Sequence, residues 1–169
     1  MNSNLSLDIK FKGQLELKAQ AVPMQEGYLK LGGITDPAGN DLDFGVVVSA
    51  DPTTPDMFEA GCASGNVVRG VSVFDDSIAQ NAPAHPTKYL AGLPCACINH
   101  GFFYLAAGYD TSIAGEIAPK IGCKVIYNTT TGVIGFIESS GSVPSGWTVL
   151  ENADVRNVTT DNGALIYLA

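Results

Sequence analysis

Charge is scarce in this 169-residue chain. Charged residues make up 15% of it, against about 25% in an average globular protein. Cations are scarcer still: 9 Lys and Arg face 17 Asp and Glu, a formal net charge of −8. A general nucleic-acid binder needs clustered cations to displace counterions, so that class is excluded. There are only 2 histidines and 1 tryptophan, which leaves few imidazole bases or metal ligands. Phosphate-binding glycine patterns are absent: no Gly-x4-Gly-Lys-Ser/Thr and no Gly-x-Gly-x-x-Gly occurs. The opening Met1 to Gly13 has no apolar core and no early positive charge, so no signal peptide is expected.

The longest span without a formal charge, Tyr89 to Tyr109, is long enough to cross a bilayer. Gly92, Pro94, Asn99, His100, Gly101 and Gly108 interrupt it, so it reads as buried strands joined by turns. No membrane partner is expected.

What is present is β-like. Leu5, Leu7, Ile9, Phe11, Leu15, Leu17, Ala19 and Ala21 share one parity, and Asp8, Lys10, Lys12, Gln14, Glu16 and Lys18 hold the other. Period two over this length is a strand signal, with Gly13 as hairpin turn or kink. Three of the seven lysines lie here, so the segment is locally basic in an acidic chain. Val22 to Asp43 is less regular, and Gly32-Gly33 and Asp36 to Asp41 read as turns.

From Phe44 onward, short apolar runs alternate with turn residues. Strands are predicted at 45–49, 67–74, 96–98 with 102–105, 124–127, 133–138 and 164–168. Gly45-Val-Val-Val and Gly70-Val-Ser-Val look alike and are taken as two similar core strands. Helix evidence is thin. Thr54 to Ala60 could form one short turn, with Thr54 as N-cap and Pro55 at the first helical position. The expected fold is mainly β: a sandwich or barrel of short antiparallel strands, residues 44–169, preceded by an N-terminal β arm or hairpin and linker, residues 1–43.

Cys95, Cys97 and His100 form Cys-x-Cys-x-x-His, which Cys62, Cys123 or His85 could extend. A structural zinc site usually shows two ligand pairs, and here no second pair exists. Cys95 and Cys97 would point in parallel from one strand face, a poor disulfide geometry. Buried thiols acting as small hydrophobes are the expectation for all four cysteines. The acidic loop Asp36 to Asp43 fails the calcium-loop register. Gly70 to Phe74 misses the nucleophile-elbow pattern, having Phe74 where Gly should stand. Asp75-Asp76 ends a strand rather than forming an acid pair. Trp147 reads as an aromatic covering the core edge. No catalytic, cofactor or metal residues are assigned, and no cofactor is expected.

An ordered set of segments carries a resemblance. It runs Asp43-Phe-Gly-Val-Val-Val, Asn66-Val-Val-Arg-Gly-Val-Ser-Val-Phe-Asp75, Tyr89-Leu-Ala-Gly-Leu-Pro94 and Gly101-Phe-Phe-Tyr-Leu. It continues with Ile121-Gly-Cys-Lys-Val-Ile-Tyr127, Thr131-Gly132, Pro144-Ser-Gly-Trp147 and Asn162-Gly-Ala-Leu-Ile-Tyr-Leu168. From about Phe44 to the C-terminus the chain resembles the structural cement (head decoration) proteins of tailed bacteriophages. That resemblance implies a non-enzymatic protein, made in the host cytoplasm, that coats the outer capsid surface of the virion. Its partner would be the major capsid protein, and its state a homo-oligomer, with a trimer favoured. It would hold the shell against internal DNA pressure. Two rival readings follow from the residues. One is a carbohydrate- or receptor-binding β-module using Trp147 with Tyr104, Tyr109 or Tyr127. The other is a small thiol enzyme using Cys97 and His100.

Overall fold

The computed structural model describes residues 21–23, 29–74, 88–106, 113–160 and 163–169. Every regular element among them is a strand. In chain order these are β1 (Ala21–Pro23), β2 (Leu29–Thr35), β3 (Leu42–Asp43), β4 (Val47–Ala50), β5 (Met57–Ala60), β6 (Val67–Ser72) and β7 (Lys88–Tyr89). They continue with β8 (Pro94–Leu105), β9 (Lys124–Asn128), β10 (Ile134–Ile137), β11 (Trp147–Val149), β12 (Ala153–Val158) and β13 (Ala164–Leu168). No helix among the described residues is long and apolar enough to cross a membrane.

β8 organises the molecule. Its first half pairs with β2 on one edge and with β6 on the other. β2 pairs with β5, β5 with β4, and β4 with β6, which returns to β8. Five strands thus close a small barrel. All its pairs are antiparallel except β2 with β5, which run parallel at Ile34↔Met57 and Thr35↔Phe58. The second half of β8 leaves the ring and pairs with β1 and β13, and β13 carries β12 outside it. A three-stranded sheet, β10-β9-β11, covers the remaining face, and β3 pairs with β7.

Alternation then sorts side chains between two cores. Val46, Val48 and Ala50 pack with Phe58, Cys95 and Cys97 in one. Val47 packs with Val71, Ile98, Phe103, Phe136 and Ile166 in the other. With both faces of β4 buried, its sequence does not alternate apolar with exposed polar residues. Each fully buried Val, Ile or Phe is worth roughly 1.5–3 kcal/mol, so the two cores together hold the fold.

Three sequence expectations are corrected. Thr54 to Ala60 is not a helical turn. A turn closes from the Met57 N–H to the Thr54 carbonyl (3.0 Å), and β5 follows, because pairing on both edges carries buried Phe58 into the barrel. Gly32-Gly33 is strand, not turn. A Cβ at Gly33 would lie 2.7 Å from the Phe58 ring, so the glycine admits that ring. The segments at 96–98 and 102–105 are one strand, with an extra residue at Asn99 where the register shifts against β2.

The division expected at Phe44 falls between β3 and β4, while β2 pairs with strands of the later segment. The two look-alike Gly-Val runs are neighbours: β4 and β6 pair at Val47↔Val71 and Val48↔Gly70.

Candidate functional site

The residues that suggested chemistry serve the fold. Cys95 and Cys97 are fully buried among the barrel's apolar side chains. Burial pushes the Cys95 thiol up to about 11. It pushes Cys97 to about 12, with neighbouring Cys95 adding to the rise. Both are therefore held as neutral thiols, the opposite of an activated nucleophile. Cys123 is buried too, and burial raises its pKa. Cys62 departs from the expectation: it is only half-buried, its thiol near the Asn66 carbonyl at 3.5 Å. All four are free.

His100 does not face Cys97. Its ring packs edge-on against Tyr167 on β13, 5.8 Å between centroids, while Cys97 lies inside the barrel. Among the described residues, no three His, Cys, Asp or Glu side chains come together as a metal would require. His85, Asp75, Asp76 and Tyr109 lie outside the described residues.

Ser72 is a clasp. Its buried hydroxyl donates to the Asp43 carbonyl at 2.6 Å and accepts from the Val46 N–H at 3.1 Å. It ties the entry of β4 to β6. The acidic loop is also consumed locally. The Asp36 carboxylate accepts from the Ala38 N–H, and Asp41 accepts from Ala91 and pairs with Lys88 at 2.6 Å. The Asp41 contacts raise the Lys88 pKa.

Exposed aromatics are few where a sugar platform would need them. Tyr104 and Tyr127 are buried. Trp147 is half-buried, its ring 3.3 Å from where a Gly135 Cβ would stand, so it covers the core edge as expected. Two half-buried aromatic side chains, Phe102 and Tyr167, lie 4.8 Å apart on β8 and β13, with the Arg156 guanidinium 5.5 Å from the Tyr167 ring.

The exposed apolar surface concentrates elsewhere. Val67 and Val68, adjacent on β6, are 51% and 36% exposed. Here β6 and β8 part company. They pair only at Val71↔Ile98 and Ser72↔Cys97, and at Gly70 (φ 146°) a Cβ would sit on the Ile98 carbonyl. Beyond that crossing, β13 takes the edge of β8 from Gly101 onward. A cleft of about 460 Å³ opens in the fork, lined by Val68, Arg69 and Gly70 of β6, Asn99 of β8, Glu151 and Leu168. What the geometry offers here is a strand edge with apolar side chains and one cation, which is interface chemistry.

Comparison with known families decides between interfaces. Residues 17–169 match the family model described as "Structural cement protein (E217 gp24/Pam3 gp6)". The chain belongs to the structural cement protein family. It is a capsid-stabilising structural protein of a phage, and neither rival reading gains support. No curated protein matches the chain by sequence. Among solved structures, a chain in the capsid of Myoviridae Phage XM1 is similar in fold. It has 16% identity, a TM-score of 0.59, and 86% of each chain covered. Sequence reasoning reached the family through strand and turn segments. It missed the forked edge at Val67 to Gly70, whose one signal was two adjacent valines before an arginine.

Proposed function

We propose that this structural cement protein binds the outer surface of an assembled phage capsid, as a homotrimer, and stiffens the shell against internal DNA pressure. It is made in the host cytoplasm and joins the virion there. It acts without catalytic residues or cofactor. The observation that carries the reading is the family match across residues 17–169. Two features support it. The cysteines with raised pKa values are buried and structural. The surface also presents an open apolar strand edge, of the kind used for strand addition.

In this reading residues 1–43 are the N-terminal β arm or hairpin and linker and residues 44–169 are the body, with β2 paired to strands of that body. The arm's unbroken alternation and its three lysines fit pairing outside the body.

The test is co-sedimentation with mature capsids stripped of their own decoration, with empty procapsids as control. Saturable binding at a fixed copy number, with raised heat resistance of the particle, is the expected result. Absence of binding to both particles would overturn the outer-surface reading.

A further inference from the structure

We infer that the bare outer face of the barrel, centred on Ile34, is the surface that seats on the capsid, against an apolar patch of the major capsid protein edged by lysine or arginine. The inference rests on the capsid-binding reading above and names the face that makes the contact.

Register builds this surface. Ile34 lies opposite Met57 of β5 and opposite Pro94 of β8. Residues paired across strands point to one face of a sheet, so three apolar side chains stand in a row. That face is the outer one. Gly33 and Thr35, on either side of Ile34, face inward: a Cβ at Gly33 would meet the Phe58 ring, and Thr35 is buried. Elsewhere the β10-β9-β11 layer covers the outer side of the barrel, packing on Val47, Val71 and Ile98. Ile34 lies outside that cover. It is 46% exposed, with Pro94 exposed beside it and Met57 half-buried.

Nothing in the fold requires isoleucine at this position. An outward strand position on a solvated face is normally polar, and threonine would suit the strand as well. Other exposed apolar residues make no such row. Val67 and Val68, adjacent on β6, point to opposite faces, and Ile121 stands in the turn closed from the Cys123 N–H to the Lys120 carbonyl.

The row is also preorganised. The Ile34 N–H donates to the Asp56 carbonyl at 2.8 Å and the Thr35 N–H to the Leu93 carbonyl at 3.0 Å, which fixes β2 against the segments that carry Met57 and Pro94. A contact made by fixed strands loses little freedom on docking. Beside the row Gly32 is exposed, with nothing within 4 Å of its Cβ position, and leaves a shelf for a partner's backbone.

Charge selects the partner. Asp56 precedes Met57, Glu59 follows it on the same face, and Asp36 lies two residues beyond Ile34. The Arg69 guanidinium reaches this end to bond the Pro55 carbonyl at 3.0 Å, and offsets one of the three carboxylates. A second copy laid face to face here would set the carboxylates against their own counterparts, which is repulsive. A surface edged with Lys or Arg is attracted instead. The shell protein is the partner that a structural cement protein must meet, so the complementary surface is assigned to it.

The test adds four variants of the full chain to the capsid co-sedimentation. Ile34→Thr should weaken binding about tenfold, by loss of apolar area. Ile34→Lys should weaken it about a hundredfold or more, because it also sets a cation against the partner's cations. Ile121→Lys, at a position 69% exposed outside the row, should bind as the wild type does. Asp56→Asn should bind more weakly than wild type at low salt and equally at high salt, where the attraction is screened. Circular dichroism and light scattering should be unchanged throughout. Ile34→Thr keeps the β-branched shape and decides the matter should the lysine variant misfold. Wild-type protein that binds while both Ile34 variants bind equally well overturns this inference alone. Loss of an oligomer in either Ile34 variant would also overturn it, since the face would then join copies of the chain. Wild-type protein that binds neither particle overturns the capsid-binding reading and this inference with it.

Discussion

Val47 and Val48 are adjacent on β4 and belong to different cores. Val48 faces the barrel interior with Phe58 and Cys97, and Val47 faces the layer shared with Phe136 and Ile166. Both are fully buried. Replacing either by Ala should cost about 1–3 kcal/mol in chemical denaturation. Because they share no packing neighbours, the double variant should be additive within about 0.5 kcal/mol. A coupling above about 1 kcal/mol would mean that the two layers repack as one.

Gly70→Ala tests the crossing of β6 and β8. Its φ of 146° is hostile to a side chain, and a Cβ would collide with the Ile98 carbonyl. A loss of at least about 3 kcal/mol is expected from denaturant titration. Gly32→Ala is the control. Nothing lies within 4 Å of its Cβ position, and the change should stay within about 0.5 kcal/mol.

Ser72→Ala removes the hydroxyl that accepts from Val46 and donates to Asp43. Val46 is buried and its N–H would lose its acceptor, so the loss should be about 1–3 kcal/mol. A calorimetric scan showing an unchanged midpoint would mean that water enters and replaces the bond.

Alkaline pH should weaken the protein through its barrel thiols. Cys95 and Cys97 are raised from 9.0 to about 11 and about 12. Below the unfolded value both states keep their protons, and the stabilising contribution is fully present. As pH rises from about 9 toward about 12, the unfolded chain releases protons that the folded chain retains, so stability falls by a few kcal/mol in total. Replacing both cysteines by Ala should flatten that slope, whatever it does to stability at neutral pH. A slope unchanged in the double variant would assign the alkaline loss to other groups.

Thiol access should follow burial. In native protein a maleimide should label Cys62 alone, with Cys95, Cys97 and Cys123 reacting only after unfolding. Intact mass spectrometry counts the adducts, and more than one in the native state would contradict the buried placement.

How much of this was legible in the sequence depended on where each strand's faces point. β13 was read with its observed bounds, because Ala164, Ile166 and Leu168 face the core and alternate with half-buried neighbours. β4, β9 and β10 were found as apolar runs, since most of their residues are buried, and β6 through its valines, although only its second half is buried. β12 was missed because Val155 is its one buried residue, and a single apolar position has no period. β2 was missed because Gly32-Gly33 looks like a turn, whereas Gly33 makes room for Phe58 within a strand. A barrel was one of the two expected bodies, but which strands close the ring was not legible. It depends on β8 pairing with β2 and β6 across long stretches of chain, which no local pattern encodes. The fork between β6 and β8 follows from that closure and shared its invisibility.

β8 also sets an order on synthesis. Its partners β1, β2 and β6 precede it in the chain, but β13, which covers the edge from Gly101 to Leu105, emerges some sixty residues later. A ribosome adding about 5–20 residues per second leaves that edge bare for several seconds. Nascent chains on one polysome then carry matching bare edges close together. Yield of soluble protein should therefore respond to translation rate between residues 106 and 164 more than anywhere else in the message.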